Sequence, residues 1–406
     1  MLLKWNTLSA APHRLLFFGG LLQFIITIIW WSIELVGRYT DAWSPLPTVI
    51  PSTWAHAILM LYGLFPFFIY GFLMTTYPRW MRGKEVPYHH YVITFSLLMI
   101  AIILIYIALF SNLILLEAGI FLLFIGWSFG FYSLLQVYFQ APTRDKYYET
   151  ILNVILLITC LNVLSIFIWL ISEQAFYLNI AVISGVWLYL IPLLVTVCHR
   201  MIPFFTSNVL PNYQIVQPKW SLPLLGICVI GHCFLELQNQ LAWRFIFDIP
   251  LMLMIFHHSY YWGFTRSFSN RLLAVLHVAF LWLGIALLLY NIQSITLLFS
   301  QQLILGKAPL HAVTIGFVTS LVVGMASRVM RGHSGRPLIA DNLTWLCFWS
   351  VSAIALFRIS AELPIPHFFG IQFNLLSSLI WLIFLSLWSI FYLPMTTQPR
   401  VDGRPG

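Results

Sequence analysis

Seven histidines lie inside or at the ends of long apolar stretches of this 406-residue chain, and they are the side chains best suited to chemistry. They are His56, His199, His232, His257, His258, His277 and His311. Imidazole is a common ligand of haem iron and copper, and it titrates near neutral pH. Because an ionisable group in hydrocarbon is costly unless it is used, these histidines predict redox-metal or proton chemistry. Hydrogen bonding between helices is the alternative interpretation.

The elements that must position these histidines are membrane helices. Hydrophobic residues make up 61% of the chain, whereas a soluble domain is roughly 45–50% apolar. A helix needs about 20 apolar residues to cross a bilayer. Twelve stretches meet this length approximately, over residues 15–37, 54–76, 91–111, 113–138, 150–172, 176–198, 220–237, 242–262, 272–293, 308–330, 343–361 and 371–393. We therefore expect an all-α polytopic integral membrane protein with about 12 transmembrane helices.

The positions of lysine and arginine predict the orientation of these helices. With a cytoplasmic N-terminus, 16 of the 20 basic residues lie in inner segments, and the outer loops hold only Arg38, Arg244, Lys307 and Arg358. Basic residues concentrate on the cytoplasmic side of membrane proteins, so both termini are expected there. The basic residues that give the net charge of +8 are scattered over short loops. This distribution predicts a lipid bilayer as partner and no nucleic acid.

The chain is expected to form a single membrane domain, residues 1–406, in two six-helix halves. The halves, 1–200 and 220–393, are joined by an inner loop, 201–219, that contains three prolines. Residues 294–307 predict an outer interfacial segment or a short re-entrant helix, and the Pro-, Gly- and Arg-rich tail 398–406 is expected to be disordered. The five cysteines form no CxxC pair, so we expect them to act as small packing residues.

Depth along the helices sorts the membrane histidines into two layers. His56, His232 and His311 lie towards the outer ends, where neighbouring imidazoles could hold copper with an open coordination position. His258 and His277 lie about equally far from the inner ends of consecutive helices, where two facing imidazoles with aromatic walls could hold haem.

Other histidines lie at the inner ends of helices or in loops. His199, at the inner end of the sixth stretch, could join the inner layer. The loop Arg331–Pro337, with His333 and Arg336, can present guanidinium and backbone N–H groups to an anion such as a haem propionate or a lipid headgroup. A positively charged anchor with a tight turn is the alternative. The remaining histidines are expected to be solvated or to face headgroups: His13, His89, His90 and His367.

Several motifs in the same region resemble the NnrS family of membrane proteins. Leu310–Gly316 (LHAVTIG) and Gly332–Leu338 (GHSGRPL), with Arg328 between them, are similar to the family's LHAxTxG and GHTGRPL-like blocks. Gly71–Thr75 (GFLMT) and Arg200–Asn208 (RMIPFFTSN) resemble two further blocks, and Leu276-His277 matches a third. The blocks occur in the family's order from about residue 56 to residue 338, so the resemblance covers most of the chain.

The resemblance implies a haem- and copper-containing protein of the bacterial inner membrane that is linked to nitric oxide metabolism and protection from nitrosative stress. By position it matches four histidines, His56, His277, His311 and His333, and we expect the first three to be metal ligands. Depth along the helices adds His232 and His199 as metal candidates and His258 as a cofactor contact. His333, Arg328 and Arg336, in and beside the loop Arg331–Pro337, are also expected to contact the cofactor.

One motif departs from the family pattern. The family usually reads HAHEM where this chain has His56-Ala57-Ile58-Leu59-Met60, so a second histidine and a glutamate are replaced by apolar residues. Haem is therefore the safer cofactor, and copper the weaker expectation. A carboxylate that could orient an imidazole is also lost.

Three functions stay open on the sequence. The first is a protein that binds nitric oxide or turns it over as an oxidoreductase, for which an electron donor would be a partner. The second is a transporter of metal, haem or a small solute, because twelve helices in two halves are a common transporter layout. The third is an assembly factor for a haem-copper complex.

Overall fold

Helices account for most of residues 4–363 and 366–403, the part of the chain that the computed structural model describes, and no strand occurs there. Eleven of these helices are long and apolar enough to cross a membrane. A twelfth, Ser221–Leu237, is apolar but has only 17 residues. In chain order the helices are α1 Pro12–Tyr39, α2 Ser52–Trp80, α3 Tyr88–Leu109, α4 Leu113–Gln140, α5 Tyr147–Ser172, α6 Ala175–Ser207, α7 Ser221–Leu237, α8 Leu241–Tyr261, α9 Arg271–Ser300, α10 Ala308–His333, α11 Asn342–Ser360 and α12 Phe368–Thr397. The predicted all-α polytopic fold is confirmed.

The helix ends agree closely with the predicted stretches except at α6 and α9. Helix α6 continues through Pro203 to Ser207, into the segment expected to be loop. Helix α9 continues to Ser300, so the prediction of a short re-entrant helix over 294–307 is wrong, whereas that of an outer interfacial segment stays a prediction. The loop after α9 is held to this helix by Gln293, whose amide donates to the carbonyls of Ile304 and Gly306.

Side-chain caps fix where three of the helices begin. The side chain of Asn112 accepts a hydrogen bond from the N–H of Leu115 at the start of α4, and that of Asn270 accepts one at the start of α9. The carboxylate of Asp341 does the same for Thr344 at the start of α11. Such caps satisfy N–H groups that have no partner within the helix.

Three helices contain wider π-helical turns, which often mark functional sites. They cover Leu59–Leu64 in α2, Gly185–Leu190 in α6 and Ala312–Thr319 in α10. The first two end directly before Phe65-Pro66 and Ile191-Pro192. Since proline lacks an N–H and its ring crowds the preceding turn, a wider turn there accommodates the ring.

The chain divides into two compact units. Unit 1 comprises Met1–Gly185, Ala326–Leu338 and Ser386–Gly406, and unit 2 comprises Val186–Met325 and Ile339–Leu385. The predicted division into two six-helix halves stays a prediction. In unit 1 the N–H of Val401 in the tail donates to the carbonyl of Ser334, while residues 404–406 of the tail lie outside the described residues.

Candidate functional site

Two of the predicted inner-layer histidines meet in unit 2. The rings of His199 on α6 and His258 on α8 are 5.7 Å apart between centroids, and both side chains are buried. Trp262 stacks on His258 at 4.8 Å and lies 6.1 Å from His199. On its other side His258 has Trp220 at 5.8 Å. The structure therefore places two imidazoles side by side in an aromatic environment.

Hydrogen bonds hold the ring of His258 in this position. Its Nε2 is 2.9 Å from the Ser221 hydroxyl at the start of α7, and its Nδ1 is 3.2 Å from Nδ1 of His257. His277, expected at the same depth on α9, is also buried, and its Nε2 lies 3.1 Å from the hydroxyl of Thr206. Thr206 lies two turns beyond His199 on α6. His258 and His277 therefore both contact side chains of this one helix.

His232 on α7 lies between two carboxylates. Its Nδ1 is 2.6 Å from Oδ1 of Asp248 on α8, and its Nε2 is 2.8 Å from Oε2 of Glu236, one turn further along α7. A histidine ligates a metal through a ring nitrogen, and both nitrogens of His232 are held by carboxylates, whose hydrogen bonds are shorter and stronger than the hydroxyl and imidazole contacts of His258. We therefore leave His232 out of the proposed metal ligands.

Four further side chains surround the cluster of His232, Glu236 and Asp248: an arginine, a glutamine, a tyrosine and a tryptophan. Arg244 lies 3.6 Å from Glu236, donates to the Gln293 amide oxygen at 2.8 Å, and stacks over Tyr290. Trp187 stacks on the His232 ring at 3.3 Å between centroids. The spacing of His232 and Glu236, four residues apart on one helix face, could have revealed half of this cluster. Nothing in the sequence signalled the partnership with Asp248.

The two family-matched histidines that precede π-helical turns have different environments. His56, in unit 1, is half-buried and stacks on Trp31 with ring centroids 4.0 Å apart. His311, in unit 2, has its Nδ1 2.9 Å from the carbonyl of Lys307 on the preceding turn. His311 therefore lies immediately before a turn where its helix departs from α geometry, and His56 lies three residues before such a turn.

A second imidazole pair lies in unit 1 at the start of α1 and the end of α10. The rings of His13 and His333 are 4.2 Å apart between centroids, and Nδ1 of His13 is 3.4 Å from the Thr75 hydroxyl. The expectation that His13 is solvated is wrong, because its side chain is buried. His90, also expected at the surface, is buried with Nδ1 3.0 Å from the Ser133 hydroxyl.

Arginines make this end of unit 1 strongly cationic. Arg14, Arg79 and Arg400 are within electrostatic range of both imidazoles of the pair. Hydrogen bonds to Asp402 raise the pKa of the exposed Arg400 guanidinium, so this residue stays charged. Arg336 of the predicted anion-binding loop and Arg328, a predicted cofactor contact, are half-buried in the same unit. Their predicted role in holding a cofactor stays a prediction.

The histidine pairs can be tested against the two cofactors that the motifs imply. Within residues 4–363 and 366–403, no three His, Cys, Asp or Glu side chains come together to hold a metal ion. Copper held by three protein ligands therefore does not fit these residues. Two axial imidazoles are a donor set for haem iron, and His199 and His258 provide two imidazoles with aromatic neighbours.

These features define an α-helical, multi-pass membrane protein with six buried histidines among its described residues. The sequence model of one protein family, described as NnrS protein, matches residues 7–400. The chain belongs to the NnrS family, and the resemblance inferred from the motifs is confirmed. A comparison with individually curated proteins finds none that matches this chain.

Proposed function

We propose that this chain is a haem-binding membrane protein of the nitric oxide response. The observation that carries the proposal is the buried pair of His199 and His258 in a chain of the NnrS family. Nitric oxide partitions into apolar phases and reaches an intramembrane site without a polar channel. Haem bound at such a site supplies an iron that takes nitric oxide as a ligand.

The protein's own residues would hold the group as follows. His199 on α6 and His258 on α8 would hold the group through their imidazoles, and Trp262 and Trp220 would provide aromatic walls. The Ser221 hydroxyl hydrogen-bonds Nε2 of His258 and would have to give up this bond for that nitrogen to hold the group. The burial of both imidazoles excludes water from the ligand nitrogens. Turnover of nitric oxide, as opposed to binding, requires an electron donor as partner.

The decisive measurement is the Soret absorption and iron content of the full chain, expressed with added haem and purified from membranes. We expect wild-type protein to carry haem and its Soret band to shift when nitric oxide is added. His199→Ala and His258→Ala should each lose haem. His89→Ala, which removes an exposed histidine, is the matched control and should retain it.

A further variant separates ligation from a structural role. Ser221→Ala removes the hydrogen bond that competes for Nε2 of His258, so we expect a ligating His258 to bind haem more fully in this variant. If His258 only supported the fold, the same change would lower stability without raising haem content. Wild-type protein without a Soret band, or full haem content in both histidine variants, would contradict the proposal.

The π-helical turns favour a second candidate, a transporter of haem, metal or a small solute. Helices α2 and α6 both contain a six-residue π-helical turn followed at the second position by proline. Helices interrupted within the membrane are typical of the binding sites of transporters. Uptake of haem or copper by proteoliposomes, abolished by His311→Ala, would support this function over binding of nitric oxide.

A further inference from the structure

The cluster of Glu236, His232 and Asp248 in unit 2 connects a partly exposed carboxylate to a fully buried one. The side chain of Glu236 is 24% exposed, whereas those of His232 and Asp248 have no exposure. Glu236 is one residue before the end of α7, and the residues that follow, Gln238 and Asn239, are polar and exposed. The chain of contacts therefore leads from the polar end of α7 into the protein.

Both links of this chain have the length that proton transfer requires. The contacts from Glu236 to Nε2 and from Nδ1 to Asp248 are 2.8 and 2.6 Å, within the range of direct hydrogen bonds. An imidazole can accept a proton at one nitrogen while it releases another from the second. Asp248 has a second oxygen, Oδ2, that is buried and has no hydrogen-bond partner among the described residues.

We propose that Glu236, His232 and Asp248 form a proton-transfer site that carries protons between the end of α7 and the buried carboxylate of Asp248. In the inward direction the O–H bond of a protonated Glu236 breaks and an N–H bond forms at Nε2. The Nδ1–H bond then breaks and an O–H bond forms on Asp248. One proton has moved inward, and the ring is again neutral.

Stacking determines how the site returns to its starting state. The His232 ring lies 3.3 Å from Trp187 with an angle of 20° between the planes, and Tyr290 contacts it edge-on at 5.1 Å. Both neighbours are buried, so the ring has no space to turn over. The proton therefore leaves Asp248 by the reverse transfers, which also return the ring to its Nδ1–H form.

Several other charged or titratable groups face this site and influence it. Arg244 lies beside Glu236 and Tyr290, and its positive charge favours the ionised form of the glutamate. The thiol of Cys228 is within electrostatic range of Asp248, and that of Cys233 is within range of Glu236. With Glu236 and Asp248 ionised, a protonated His232 and Arg244 balance their two negative charges. These four groups then have no net charge, and the release of one proton leaves them with a single negative charge.

The test is the rate at which buried Asp248 gains a proton after a jump to acid pH. The full chain in lipid nanodiscs is followed by time-resolved infrared absorption, in which the C=O stretch of a protonated carboxyl is assigned to Asp248 by its absence in Asp248→Asn. Glu236→Gln removes the entry carboxylate, and we expect it to slow the appearance of this band by roughly 100-fold, within the usual contribution of a proton-transfer group. Glu85→Gln, an exposed carboxylate outside the cluster, should leave the rate unchanged.

A second variant distinguishes proton transfer from support of the fold. His232→Ala should slow the rate as Glu236→Gln does, and imidazole added to the buffer should restore part of it, which a purely structural loss would not show. An Asp248 band that appears at the wild-type rate in Glu236→Gln would overturn the proposal. So would a wild-type protein in which no such band appears at any pH.

Discussion

Single residues show how this chain places charge inside a bundle of apolar helices. Glu34, near the end of α1 in unit 1, is almost fully buried, and its carboxylate accepts hydrogen bonds from Arg38 at 2.8 Å, Ser52 at 2.7 Å and the N–H of Leu46 at 2.9 Å. These three donors come from α1, from the following loop and from the start of α2. The carboxylate therefore fixes the turn between the first two helices.

Replacing this carboxylate should destabilise unit 1. Glu34→Ala removes the carboxylate that accepts three hydrogen bonds, so the Ser52 hydroxyl and the Leu46 N–H lose this acceptor. Because bonds to a charged group are stronger than average, we expect a loss of about 2–3 kcal/mol in the free energy of unfolding. Unfolding of the purified protein by heat and by denaturant measures it. Glu85→Ala, at an exposed loop position, should unfold like wild type, and equal stability of the two variants would contradict the role given to Glu34.

At the scale of helices, small residues allow close approach of their neighbours. The glycine of the LHAVTIG motif, Gly316, lies in the π-helical turn of α10 against Trp282 of α9. A Cβ atom at Gly316 would lie 2.6 Å from the indole ring of Trp282. The indole cannot swing away freely, because its N–H donates to the hydroxyl of Ser352 on α11. Gly316 therefore allows α9, α10 and α11 to pack together in unit 2.

Gly316→Ala should accordingly lower stability by about 1–3 kcal/mol, the usual cost of an overpacked core. The matched change is Gly226→Ala on α7, where a Cβ would have no neighbour within 4 Å. Since alanine favours helix more than glycine does, this control should unfold at the same temperature as wild type or at a higher one. Melting temperatures in one detergent compare the two variants. An equal fall in Gly226→Ala would contradict this explanation, because Gly226 has no close neighbour that corresponds to Trp282.

Helix-scale patterns also explain what the sequence could predict. Long apolar runs located all twelve helices, because a bilayer requires a nearly constant length of chain. The fixed rise per residue placed His258 and His277 at one depth, with His199 as a possible addition. The structure pairs His258 with His199, whereas His277 contacts Thr206. Depth along a helix does not predict which faces of two helices pack together, so the sequence did not reveal the contact of His232 with Asp248. The pairing of His13 with His333 was missed because 320 residues separate them in the chain.

At the scale of the whole molecule, the topology depends on the shortest apolar helix. Helix α7 has 17 residues, about 25 Å at 1.5 Å per residue, against a hydrocarbon core of about 30 Å. If α7 crosses, the chain crosses twelve times and its termini share a side. If it does not, every later loop changes side. Without a crossing α7, 12 basic residues would lie on one side of the membrane and 8 on the other, whereas with twelve crossings the numbers are 16 and 4. The positive-inside rule therefore favours a crossing α7 with both termini in the cytoplasm.

Cysteine labelling of the loops decides between these topologies, because the five native cysteines are buried and should react little. Lys84→Cys and Glu173→Cys precede α7, lie in exposed loops and mark the two sides of the membrane. With twelve crossings, Thr265→Cys, in the exposed loop after α8, should resist a membrane-impermeant maleimide in intact cells, as Lys84→Cys does, and react once the membrane is permeabilised. Glu173→Cys should react without permeabilisation. Labelling of Thr265→Cys together with Glu173→Cys would mean that α7 does not cross and that the C-terminus lies outside. In that case the polar end of α7 that carries Glu236 would lie on the same side as the loop before it, which also changes the side from which the proposed proton-transfer site is reached.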